Sequence, residues 1–146
     1  MPSKRIAAFD KTVQKTSAWL AHLEAVMGWE DRHKAYMTLR GVLHALRDRL
    51  PPDEAVELGA QLPMLVRGFY YEGWHPANKP LKYRHKDEFL KQVMKEAVWL
   101  EGAELERAVS AVLEVLTSEL GPGGEPGQVR ALLPAELREL WTQPGL

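Results

Sequence analysis

The chain contains no cysteine, which excludes disulfides, thiol nucleophiles and thiolate metal sites together. Serine is scarce and confined to Ser3, Ser17, Ser110 and Ser118, none of them in a Gly-x-Ser-x-Gly turn. Asn78 is the sole asparagine. A dominant charge is also missing. Lys and Arg number 19 against 20 Asp and Glu, a formal net charge of -1, so no global field draws the chain to nucleic acid or to a membrane surface. No apolar run approaches the length of a membrane span. The stretch 1–26 begins basic, but Asp10, Lys11 and Lys15 interrupt its apolar residues. It reads as an amphipathic helix and not as a secretory signal, so the cytoplasm is the expected compartment. No segment alternates apolar and polar residues as a strand would. The glycines 121, 123, 124 and 127 follow a helical pattern and not a strand, the wrong context for a phosphate cradle.

What is present is helical period. The 146 residues, 45% hydrophobic and 27% charged, suit one compact domain of ordinary globular composition. Ile6, Phe9, Val13, Leu20, Leu23 and Met27 share one face of a first helix that ends at Gly28. Tyr36, Leu39, Leu43, Leu46 and Leu50 make the strongest stripe, with Arg40, Arg47 and Asp48 off it. Pro51-Pro52 stops that helix and opens a short third one, whose Asp53 and Glu54 complement the positive helix end. Leu62-Pro63 breaks the chain again, and a fourth helix is expected from Pro63. Residues 75–86 hold two prolines and no period and read as a connector. Asp87 is expected to cap a helix carrying Phe89 and Val93. A long helix with Leu105, Val109, Val112, Leu116 and Leu120 follows, then a loop over 121–127 and two helices flanking Pro134.

The chain uses one motif twice. Ala60-Gln61-Leu62-Pro63-Met64-Leu65-Val66-Arg67 returns as Ala131-Leu132-Leu133-Pro134-Ala135-Glu136-Leu137-Arg138. Val42-Leu43, Leu46 and Leu50 return as Val112-Leu113, Leu116 and Leu120, all at one offset that lengthens by a single position at the Leu-Pro. Phe89-x3-Val93 also echoes Phe9-x3-Val13. The expected fold is an all-α, duplicated helical bundle: half 1 over about 3–74, connector 75–86, half 2 over about 87–143, packed as one domain. Val42-Leu43-x2-Leu46-x3-Leu50, Ala60-Gln61-Leu62-Pro63, Tyr71-Glu72-Gly73-Trp74 and Leu133-Pro134-x3-Arg138 together resemble the bacterial domain of unknown function 2267. The second copy departs from it, with Leu132 in place of Gln61 and no counterpart of Tyr71-Glu72-Gly73-Trp74. The resemblance implies an all-helical protein and carries no catalytic residues with it.

Candidate chemistry is sparse. His22, His33 and His44 recur every eleven residues, but three helical turns separate the last two, too far for a shared metal. His75 and His85 flank the connector near Glu72 and Asp87 without the spacing of a zinc site. No metal site, cofactor or enzymatic activity is therefore expected. Arg67 and Arg138 stand four residues after each proline and are expected to hold the short helices through carboxylates or C-terminal carbonyls. The densest aromatic cluster runs from Phe69 to His75 and leads into a stretch holding Lys79, Lys82, Arg84 and Lys86. Tyr71, Trp74, Tyr83 and Arg84 are the candidate binding residues. The leading functional reading is a non-enzymatic interaction or scaffold module that self-associates or binds a protein partner. The rival is an anion or nucleic-acid binder acting through 74–86, although the charge balance makes nucleic acid an unexpected partner and a membrane is not expected. A third reading places a small ligand or metal between the halves.

Overall fold

The computed structural model describes residues 4–121 and 124–141. Ser3, Gly123, the tail 144–146 and the outer limits 3 and 143 of the expected halves lie outside them. Eight helices form, α1 (Ala7–Met27), α2 (Arg32–Arg49), α3 (Pro52–Gln61), α4 (Met64–Tyr71), α5 (Lys86–Met94), α6 (Gly102–Leu120), α7 (Glu125–Leu132) and α8 (Ala135–Leu140). No strand occurs among the described residues. None of these helices is long and apolar enough to cross a membrane.

Local chemistry explains most boundaries. Asp31 caps α2, its Oδ1 accepting the Lys34 N–H at 3.0 Å. Pro52 opens α3, where its missing N–H costs nothing. Three boundaries differ from expectation. Pro63 stays extended (ψ 151) as the N-cap, so α4 begins at Met64. His85, not Asp87, is the N-cap of α5, and Asp87 lies in the first turn. A carboxylate from elsewhere in the chain serves α5 instead, as Glu136 of α8 accepts the Lys86 N–H at 3.0 Å. The loop expected to end at 127 ends at Gly124, because Glu125 and Pro126 already form the first turn of α7.

The helices pair across the chain. α1 lies on α6, α2 on α5 and α3 on α7, while α2 also meets α6. α4 covers α1 and α2, and α8 covers α5 and α6. Burial recurs at the offset read in the sequence. Trp19, Leu23, Val42, Leu46, Leu62 and Val66 are buried, and so are Phe89, Val93, Val112, Leu116, Leu133 and Leu137. Phe89 and Val93 therefore correspond in burial to Trp19 and Leu23, at the offset that relates Val112 to Val42. Phe9 and Val13 are not their equivalents, being 56% and 52% exposed, with Ile6 at 54%. The first turns of α1 run beyond the packed core, so half of the expected apolar face meets water.

Arg47 departs from expectation in the opposite direction. Read as an off-stripe polar residue, it is 4% exposed. One amino group of its guanidinium donates to Tyr70 O at 2.7 Å and Glu72 O at 3.0 Å, while Nε donates to Asp48 Oδ1 at 2.9 Å. These are the carbonyls that the end of α4 leaves without helical partners, and they compensate the buried cation.

Leu46 and Leu116 are both fully buried in the interior shared by α2 and α6. Leu46→Ala is expected to cost about 2–5 kcal/mol, the range for a core leucine whose cavity does not collapse. Urea unfolding of the two proteins measures it, and a loss below about 0.5 kcal/mol would place Leu46 at the surface.

Candidate functional site

One side of α2 carries Tyr36, Arg40, His44 and Arg47, spaced four, four and three apart and thus in one row. The row binds whatever packs over it. Arg40 donates to the Tyr36 hydroxyl at 3.0 Å and pairs with Glu96 and Glu72. His44 faces Phe69 O through Nε2 at 2.6 Å and Glu96 through Nδ1. Both ring nitrogens thus meet oxygen atoms of other elements. With Arg47, the row fastens the end of α4 to α2 and ties in Glu96 just past α5. These polar groups are committed to one another.

The connector is anchored in two places. Tyr71 and Trp74 meet as tilted rings at 5.4 Å, and Tyr71 also meets Tyr70 edge-on at 4.9 Å. Trp74 is half-buried, and its indole N–H is enclosed without a hydrogen-bond partner. Further along, the Leu81 N–H donates to Asp48 O at 2.8 Å and Arg49 Nε donates to Tyr83 O at 2.8 Å. The Arg49 guanidinium lies 5.6 Å from the Tyr83 ring centre. Burial pushes the Tyr83 phenol above its ordinary pKa. The candidate residues thus fall into two groups: Tyr71 with Trp74 beside the end of α4, and Tyr83 at the end of α2. Arg84 is exposed. The two connector histidines do not converge either. His75 is exposed, while His85 bonds Glu136 at 2.9 Å. His22 pairs with Glu119 and His33 lies against Tyr36, so the regular histidine spacing assembles nothing. Arg67 and Arg138 act as expected. Arg67 donates to Gly59 O at 2.9 Å and Leu62 O at 2.9 Å, and Arg138 to Leu133 O at 2.6 Å, each holding the helix before its proline.

The feature that sequence reasoning misplaced is apolar. Ile6 at the N-cap of α1 and Phe9 and Val13 within it stand exposed, and so do Met64 and Leu65 at the start of α4. The two helices are joined there by the Leu65 N–H donating to Thr12 Oγ1 at 2.9 Å. Beside them runs a groove of about 560 Å³ with Val13, Leu20 and Leu65 along it, Tyr36 and Phe69 among its walls, and the Arg40–Glu72 pair at its edge. Tyr36 and Phe69 meet edge-to-face at 5.2 Å. The stripe was legible as periodicity, but periodicity does not tell a buried face from an exposed one.

Two measurements test this geometry. Hydrogen bonding to Glu136, followed by its charge, raises the His85 pKa, while the His85 contact and then the Lys86 N–H lower that of Glu136. NMR titration is therefore expected to place His85 above the ordinary imidazole value and to bring it down in Glu136→Gln; an unchanged midpoint would mean the pair does not form. Trp74→Ala is expected to lower stability by about 1–3 kcal/mol, the range for losing a partly buried aromatic anchor. Thermal melts read the change, and an unaltered melting temperature would show that Trp74 anchors nothing.

No curated protein matches the chain. A family described as an uncharacterized conserved protein does match, over residues 16–140. The matched span covers the α2 row, the Gln61-Leu62-Pro63 corner, the connector and both Leu-Pro helices, and it starts after Ile6, Phe9 and Val13. The chain belongs to this family, DUF2267.

Proposed function

We propose that the protein is a non-enzymatic, self-associating helical module in which two copies pair through the α1–α4 face. One observation carries this reading. Ile6, Phe9 and Val13, three and four residues apart, form an exposed ridge along α1, and an apolar groove lined by Val13, Leu20 and Leu65 runs beside it. A ridge and a slot on one face of one chain suit a twofold pair in which each copy seats its ridge in the other's slot. Met64 and Leu65 extend the apolar surface, and Lys11 and Lys15 of α1 supply a polar border. The non-enzymatic part rests on the sequence, whose serines stand in no Gly-x-Ser-x-Gly turn and whose glycines 121, 123, 124 and 127 match no dinucleotide fingerprint.

The expected affinity is modest. Each of the five exposed apolar side chains, already about half buried, contributes roughly 1 kcal/mol on full burial. The cost of association absorbs much of that sum, which points to a dimer of micromolar strength or weaker. Sedimentation velocity over a concentration series is expected to show a reversible monomer–dimer equilibrium. Phe9→Glu is expected to shift it to monomer while leaving the melting temperature of the monomer unchanged. A wild-type chain that stays monomeric up to millimolar concentration would overturn the reading. Dimers that persist unchanged in Phe9→Glu and Val13→Glu would move the interface elsewhere.

A further inference from the structure

Glu54 and Glu125 are separated along the chain by the same offset that relates Leu62 to Leu133. Each lies in the first turn of its helix, α3 and α7, and these two helices pack on each other. Glu57 is one turn beyond Glu54 on the same face of α3. Carboxylate oxygens from all three side chains lie within 4.8 Å of one another. Among the described residues this is the one group of three such side chains that converges.

Convergence of acids alone means little. Here one of the three is buried. Glu125 is only 4% exposed, and its Oε2, enclosed beside the other two carboxylates, has no hydrogen-bond partner. Glu54 Oε2 is enclosed and unpartnered as well. Among the described residues none of the three forms a salt bridge with a lysine, arginine or histidine. The nearby Tyr70 phenol already donates to Ala55 O at 2.6 Å. A buried carboxylate oxygen facing two further carboxylates, with no cationic side chain beside it, is a costly arrangement unless a proton or a cation sits among them.

The backbone holds Glu125 in that place. Its N–H donates to Gln61 Oε1 at 2.8 Å, so Gln61, in the Gln-Leu-Pro corner of α3, serves the first residue of α7. Gly124 lies so close that a β-carbon there would stand 2.9 Å from Gln61 Oε1 and 3.1 Å from Leu120 O. A side chain there would make Gln61 and the Leu120 carbonyl give way by a few tenths of an ångström.

We propose that Glu54, Glu57 and Glu125 bind a hard divalent cation of the size of calcium at the contact between α3 and α7. The donor set is all carboxylate oxygen, the chemistry that calcium and magnesium share. Calcium bonds of about 2.3–2.6 Å span oxygens within 4.8 Å of one another with little movement, whereas magnesium at about 2.0–2.1 Å draws them closer. Glu57 is exposed, so the group is open to solvent on that side. Burial, and then Glu54 and Glu57, push the Glu125 carboxyl up to about 7. The cation therefore competes with a proton, and its affinity falls as the pH drops through that value. Without the cation, a raised carboxyl binds more protons folded than unfolded, so stability declines as pH rises from about 4.5 to about 7.

Titration calorimetry and thermal melts of the full chain, stripped with a chelator and held at pH 8, test the site with calcium chloride and with magnesium chloride. Calcium is expected to bind and raise the melting temperature, with magnesium weaker. Glu57→Gln, at an exposed position that does not threaten folding, is expected to weaken calcium binding by roughly tenfold or more. The order of stability provides a second readout. Stripped Glu57→Gln and Glu125→Gln are expected to melt above the stripped wild type, because repulsion is relieved, and below it when calcium is present. Absence of heat and of any melting shift with millimolar calcium or magnesium would overturn the proposal. Calcium binding that both variants leave intact would overturn it too.

Discussion

A buried guanidinium organises the first half of this protein. Arg47 lies in the interior with the last carbonyls of α4 as its acceptors and Asp48 as its counter-charge. A buried cation tolerates no loss of these partners, and the end of a helix tolerates no loss of a donor. The two requirements meet in one contact, which fixes α4 against α2. Removing either side leaves the other unsatisfied away from water. His44 and Arg40 extend the clamp through Phe69 O, Glu72 and Glu96, so the connector leaves α4 in a set direction.

From that placement the rest follows. With α4 held on α2, its outer face meets α1 and leaves the groove between them, and the exposed ridge of Ile6, Phe9 and Val13 runs alongside. The helices of the C-terminal half are held by other means. Arg138 serves Leu133 O, Glu136 serves the start of α5, and Trp141 Nε1 donates to Thr117 Oγ1 at 2.9 Å. No arginine of α6 plays the part of Arg47, since Thr117 stands at the matching position, as Leu116 does for Leu46. Burial is nearly the same in the two stretches while the polar fastening differs. The apolar contacts set where the helices lie, and the polar ones set how each corner is closed.

The two proposed surfaces stand differently towards the family. Gln61, Glu54, Glu57 and Glu125 lie within residues 16–140, whereas Ile6, Phe9 and Val13 precede them. The carboxylate group belongs to the part of the chain that makes it a DUF2267 protein. The ridge lies on the N-terminal side of that part. A cation at the α3–α7 contact would tie together two short helices that otherwise bring three carboxylates face to face, and pairing through α1 would leave that contact untouched.

Much of the fold was legible in the amino-acid sequence by itself. The helical period of Leu39, Leu43 and Leu46, the proline breaks at 51–52, 63 and 134, and the return of Val-Leu and Leu-Pro at a nearly constant offset set the helices and most of the core. These are properties of local backbone sterics and one-dimensional pattern, and they need no partner in space. Three things needed the tertiary structure. Which apolar stripe is covered depends on how far a helix runs beyond its neighbours, so Phe9 and Val13 read as core and stand in water. Whether a charged residue is buried depends on orphan carbonyls arriving from another helix, so Arg47 read as surface and lies inside. Whether acids meet depends on two helix starts, distant along the chain, being brought together, so Glu54 read as a helix-end charge while Glu125 drew no notice. In each case the deciding quantity is a distance between elements, which a sequence pattern along one element does not contain.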